Sequence, residues 1–173
     1  MTTPLLGDPA SMSALGASLR RTAGHLAADG EALAGAVTGA TPGWPGPRSV
    51  RLRRRTSTTA EQTTAVASAL DEVGRSLQTA ATDLAAAIAR LRELEDAAAT
   101  MGLEVREGAV TRGWGITGVA DAAAAREEDG RRHRLQEQVH QTITALGRHR
   151  ARLAKDLARG QGLLARAADE LRR

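Results

Sequence analysis

Apolar residues return every seven positions near the start of the chain, at Met12, Leu19, Leu26 and Leu33, with Leu15 and Val37 flanking the stripe. A seven-residue period is the signature of a helix pressing one narrow seam against a partner in a left-handed coil. Ser11 or Ser13 suits the cap of this first helix, and Pro4, Gly7 and Pro9 before it read as a loose leader. A second and more regular stripe begins at Val66 and passes through Leu70, Val73, Leu77, Ala80, Leu84, Ala87, Leu91, Leu94 and Ala98. It predicts a helix that starts near residue 48 or 56 and closes at Met101-Gly102, where glycine can end it. Leu103 to Thr111 then alternates around Glu107-Gly108, which reads as a small β-hairpin or an irregular connector. Two short strands are marginal alone, so a hairpin here has to lean on the helices. From about Val119 to the end a third helical pattern carries Leu135, Val139, Ile143, Leu146, Arg150, Leu153, Leu157, Leu164 and Leu171, with a break expected near Asp129-Gly130. Gly160 lies on that stripe, where it permits a bend or the approach of another backbone.

These patterns predict an all-α protein, an elongated antiparallel helical hairpin or bundle with a small β-hairpin before a C-terminal helical segment. The expected division is 1–101 for the helical hairpin, 102–118 for the β-hairpin or loop connector, and 119–173 for a basic segment packing on the hairpin. The second stripe outruns the first helix. Leu70, Leu77, Leu84 and Leu91, together with Leu146, Leu153 and Leu157, are therefore the residues expected to meet another helical-hairpin protein or a second copy of this one.

Composition sharpens this picture. The apolar fraction of 42% is mostly alanine and leucine, and Phe and Tyr are absent. Such a core is thin, because alanine buries little area while a buried leucine contributes roughly 1.5–3 kcal/mol. Gly16, Gly24, Gly30 and Gly35 each weaken the first helix by about 0.8–1 kcal/mol relative to alanine, so that helix needs tertiary support. With no cysteine, disulfide and thiolate chemistry are excluded. No apolar run approaches a membrane span and no Sec-type leader is encoded. The expected location is the cytoplasm, followed by export along a non-Sec route. The net charge of +4 is modest for a nucleic-acid binder. Its excess lies in 119–173, where twelve basic residues face eight acids.

The two long patterns meet at Thr41-Pro42-Gly43-Trp44-Pro45-Gly46-Pro47, which cannot continue a helix. Trp44 is one of two aromatic residues in the chain. An indole at this bend either fills the open end of a helical hairpin or completes a recognised surface. Helix, Trp44-Pro45-Gly46, then a second helix ending near residue 101 resembles the WXG superfamily of type VII secretion substrates and partners. The exit at Gly102-Leu103 into a V-x-x-G-x-V hairpin resembles longer actinobacterial members of that family, so the likeness covers about 1–118. It implies that Trp44 and Gly46 form the turn between two antiparallel helices and part of a recognition surface. It further implies a non-catalytic interaction protein: a secreted substrate, a targeting module or a helical partner, working with a secretion ATPase or a toxin. One feature departs from the family. Export signals of the form Y-x-x-x-[DE] need a tyrosine, and Arg92-Glu93-Leu94-Glu95-Asp96 occupies the expected region without one. Either a partner subunit supplies that half, or the protein is a helper or immunity-like component that stays inside.

Candidate chemistry is sparse. No nucleophile elbow or phosphate loop is present. Glu137 and His140 have the E-x-x-H spacing of di-metal bundles, but such a site requires a second motif and further inward carboxylates. No catalytic residue, metal or cofactor is therefore expected. Arg152 to Gln161 resembles the dimerisation helix of sensor histidine kinases, yet Ala158 at the phosphoacceptor position cannot carry phosphate. The arginines that follow the Trp turn, Arg51, Arg53, Arg54 and Arg55 with Arg48 before them, offer the alternative function: a basic helical bundle binding nucleic acid or an anionic membrane surface. Nucleic acid is the weaker of these, since no interleaved aromatic residue offers base stacking. An acidic protein partner or a plain solvated face would also suit the cluster.

Overall fold

The computed structural model describes residues 7–40, 46–113 and 122–172, and the side chains of Ala40, Ala122, Ala123 and Leu171 lie outside that description. Three long helices account for most of these residues: α1 (Pro9–Ala40), α2 (Pro47–Thr100) and α3 (Ala122–Leu171). Between the last two lie β1 (Leu103–Arg106) and β2 (Ala109–Arg112), an antiparallel pair. The all-α class read from the apolar stripes holds. Helix α1 begins at Pro9 rather than at Ser11 or Ser13, with proline at a position where its missing N–H has no intrahelical bond to make. Helix α3 runs unbroken through Asp129-Gly130, where the sequence led us to expect a break. The chain forms two compact units, one of Ala80–Ala151 with the residues before Ala10, the other of Ala10–Thr79 with Arg152–Arg173.

Within the second unit, α1 and α2 meet through small residues rather than through leucines alone. A Cβ placed on Gly16 would lie 2.6 Å from the Gly74 carbonyl oxygen, and one on Gly74 would lie 2.7 Å from that of Gly16. Farther along, Gly30 faces the Ala60 carbonyl and the Thr63 side chain at van der Waals distance. Gly16 with Gly74 and Gly30 with Ala60 place the two helices antiparallel, and Ala23 and Ala67, both buried, fall at the midway register. The seam thus alternates Met12, Leu19 and Leu26 with Gly16, Ala23 and Gly30, one small residue per heptad. Helix α2 answers with Ala60, Ala67 and Gly74. Leu15 flanks this seam and is exposed, and Leu33, the next heptad position after Leu26, is exposed as well. On another side of α2, Val73 fills the space left by Gly160 of α3, Ser76 donates to Asp156 at 3.3 Å, and Arg159 pairs with Glu72 at 3.5 Å. What approaches Gly160 is therefore a valine side chain and not a backbone.

Asp71 of α2 holds the α1 contact from its edge. It accepts from Arg20 Nε at 3.0 Å and pairs with Arg75 at 2.7 Å, while Arg20 also donates to Gln78 at 3.1 Å. The Arg20 hydrogen bond, aided by the charge of Arg75, holds the Asp71 carboxyl below its ordinary value of 3.8 despite partial desolvation. A carboxylate whose folded pKa is depressed contributes stability above the unfolded value and loses it as pH falls through the folded one. Asp71→Asn is expected to be less stable than wild type at neutral pH. That gap should narrow as pH falls below the ordinary carboxylate value, as read from urea midpoints at neutral and at acid pH. A gap that stays constant would mean Asp71 makes no charge-dependent contribution.

In the first unit a single apolar cluster joins the hairpin to two helices: Leu94 and Ala98 of α2, Leu103 and Val110 of the strands, and Leu135 and Val139 of α3. Val139, at 0% exposure, is the largest side chain fully enclosed among the described residues. The hairpin turn is Glu107-Gly108, both at positive φ (54° and 84°), the two-residue arrangement whose twist matches paired strands. The register pairs Leu103 with Arg112 and Arg106 with Ala109. Alternation sends Leu103, Val105 and Val110 toward the cluster.

Candidate functional site

The W-x-G stretch lies between the end of α1 at Ala40 and the start of α2 at Pro47, and Trp44 lies outside the described residues, as does Trp114. Gly46 is described. Its φ of 130° is closed to an L side chain, so glycine is required at this position. Its carbonyl accepts the Ser49 hydroxyl at 2.8 Å and the Val50 amide at 3.2 Å, and Pro47 takes the first helical position. Ser49 is buried and Gly46 is exposed. The sequence therefore starts α2 by local chemistry, through a glycine that sets the angle and a serine that fastens it.

The next two turns are basic. Arg48, Arg51, Arg54 and Arg55 are exposed and Arg53 is half-buried. None of the five makes an ion pair or a side-chain hydrogen bond among the described residues. The hydroxyl run that follows is turned inward on its own helix: Thr56 donates to Leu52, Thr58 to Arg54 and Thr59 to Arg55, at 3.0–3.1 Å.

The leucines expected to meet a second chain fall into three states. Leu77, Leu84 and Leu146 are buried within this chain, Leu70, Leu91 and Leu153 are half-buried, and Leu157 is 36% exposed. The pattern located an inward stripe but could not apportion it between neighbours inside the chain and partners outside it.

One open groove, of about 370 Å³, lies in the first unit and is lined by Asp83, Ala87 and Arg90 of α2 and by Gln138, Leu146 and His149 of α3, among others. His149 Nδ1 meets Asp83 Oδ2 at 2.5 Å, a pairing that sequence reading missed. The two residues are 66 positions apart, and only the register of two helices brings them together. Thr142, also on the groove, donates its hydroxyl to the Gln138 carbonyl at 2.9 Å. Of these polar groups the Asp83–His149 pair fastens α2 to α3, while the Thr142 hydroxyl is bonded within its own helix. Glu137 and His140 of the E-x-x-H spacing are exposed, and Glu137 accepts from Gln141. Among the described residues no three His, Cys, Asp or Glu side chains are grouped to hold a metal ion.

Gln136 is the other side chain that the sequence did not announce. Its amide accepts from the Val110 N–H at 2.7 Å and donates to the Gly108 carbonyl at 2.8 Å, clasping the hairpin to α3. Its only sequence signal is its place beside Leu135 on the inward stripe.

No protein-family model, no curated protein and no solved structure matches this chain.

Proposed function

We propose that the protein is a non-catalytic, helical interaction component of a WXG-type secretion system, acting as a substrate, a targeting module or a companion of one. In this reading α1 and α2 form an antiparallel helical hairpin. A second helical-hairpin protein, or a second copy, covers what this chain leaves open on Leu70, Leu91, Leu153 and Leu157. The protein would be cytoplasmic before export by a non-Sec route, with a secretion ATPase or a toxin as further partners.

One observation carries the reading. Trp44-Pro45-Gly46 falls in the short interval between two long helices, and Gly46 has a backbone angle that only glycine adopts readily. A tripeptide is a weak signal, and this placement is what gives it weight.

The test is recovery from the native host. The tagged protein should co-purify with a helical protein encoded beside it. Trp44→Ala should abolish that recovery while leaving the circular dichroism of the helices intact. A monomer recovered without a companion, or a Trp44→Ala variant that pairs as well as wild type, would remove the basis for the proposal.

A further inference from the structure

The stretch from Ala32 to Ala60 contains five arginines and not one acidic residue. That local charge of +5 exceeds the +4 of the whole chain. The acids that bound the stretch do not offset it. Glu61 accepts from Ser57, and neither it nor Glu31 pairs with any of the five arginines among the described residues. Cations at a helix start also oppose the helix dipole, so the arrangement costs stability with no return inside the described chain.

Side-chain placement makes the cluster a surface. At about 100° per residue, Arg54, Arg51, Arg55 and Arg48 follow one another around one side of α2. Val50 borders them on one edge and Leu52 on the other, each 48% exposed. Ser49, Thr56 and Ala60, on the opposite side, are buried. The result is a basic band with an aliphatic residue along each margin.

We infer that this face binds an anionic lipid surface peripherally, with the four exposed arginines on headgroups and Val50 and Leu52 entering the boundary between headgroups and acyl chains. Both halves of the surface then find a partner, since juxtaposed basic and aliphatic residues are what interfacial helices use. Duplex nucleic acid would satisfy only the arginines. The segment 46–60 contains no Asn or Gln to read base edges, and its Ser57, Thr58 and Thr59 hydroxyls are already bonded. No helix among the described residues is long and apolar enough to cross a membrane, so the contact is with the surface.

The experiment is co-sedimentation of the full chain with phosphatidylcholine vesicles, either pure or containing roughly one third phosphatidylserine, over a salt series. Binding is expected to the anionic vesicles alone and to weaken with salt. The triple change Arg51→Gln, Arg54→Gln, Arg55→Gln should lower partitioning about 100-fold, at a few-fold per arginine. Its melting temperature should hold or rise slightly, because cations leave a helix N-terminus. Val50→Ser with Leu52→Ser should weaken vesicle binding while leaving any retention on duplex DNA unchanged. The inference is overturned if wild type ignores anionic vesicles at low salt, or if the triple variant binds as wild type does. Equal loss in an Arg126→Gln, Arg131→Gln, Arg134→Gln control would overturn it too, as would tighter retention on duplex DNA than on the vesicles. None of these results depends on the Trp44-directed pairing, whose failure is read separately by co-purification.

Discussion

Gly74→Ala, and equally Gly16→Ala, should lower the melting temperature by about 5–10 °C, whereas Gly24→Ala and Gly35→Ala should each raise it by about 2–4 °C. All four replace glycine by alanine inside a helix, so all four gain roughly 1 kcal/mol of helix propensity. What separates them is the far side of the seam. A Cβ on Gly74 or Gly16 would lie 2.6–2.7 Å from the other residue's carbonyl oxygen, a backbone atom that no rotamer change can move. The helices would have to part by several tenths of an ångström, and the loss would spread to the contact of Gly30 with Ala60. Overpacking of this kind costs about 1–3 kcal/mol and more where backbone must move, enough to outweigh the propensity gain. Gly24 and Gly35 have nothing within 4 Å of a new Cβ, so the gain stands alone. Thermal unfolding followed by circular dichroism decides it. A neutral or stabilised Gly74→Ala would show that the two backbones are not in contact.

The same residues show what could be read in advance. Met12, Leu19 and Leu26 declare a seam because large apolar side chains dominate any hydropathy pattern, and the stripe from Leu70 to Leu94 does so again. Gly16 and Gly30, read by propensity, are only weak points in a helix. Paired with Gly74 and Ala60 they become the places where two backbones come close. The signal was available: Gly16, Ala23 and Gly30 recur every seven residues, as do Ala60, Ala67, Gly74 and Ala81. Small residues are ambiguous when met singly, and only a partner stripe at matching register gives them meaning. The hairpin was legible for the opposite reason, since Glu107-Gly108 between alternating apolar residues is local chemistry. His149 with Asp83 was not legible, nor was Gln136 with Val110. Contacts between residues 66 and 26 positions apart depend on how helices and strands slide into register, which no local pattern records.

Register also explains the candidate surfaces. Leu77, Leu84 and Leu146 look identical to Leu157 in the sequence pattern, yet the first three are enclosed by this chain and the last is open. The hydropathy pattern records that a position is apolar and not which neighbour covers it, so it cannot tell an enclosed leucine from an open one. The arginine band differs in kind. Its exposure follows from charge, and its lack of acids could be read from the sequence. Only the structure adds the aliphatic margins and the absence of ion pairs among the described residues.

Gln136→Ala should release the hairpin without unfolding the helices. With Arg106 paired to Ala109 at the turn, alternation leaves the Val110 N–H pointing away from β1, where the Gln136 carbonyl oxygen receives it at 2.7 Å. The same amide donates to Gly108, so truncation strips a partner from one backbone donor and one backbone acceptor. Each group left unsatisfied costs about 1–3 kcal/mol, and partial access of water brings the expected total to about 2 kcal/mol. Two strands of four residues have little reserve of their own, so the loss should appear as local opening. Hydrogen exchange at the Val110 amide should accelerate about 30-fold, with far smaller changes in the middle of α2. Gln136→Glu gives an intermediate result, because a carboxylate still accepts from Val110 but faces the Gly108 carbonyl with no proton to donate. Glu128→Gln weakens the nearby pair with Arg112, whose side chains are substantially solvated, and should change exchange by no more than a few-fold. If Val110 exchanges no faster in Gln136→Ala than in Glu128→Gln, the hairpin is held by the apolar cluster of Leu94, Ala98, Leu103, Leu135 and Val139 and not by this amide.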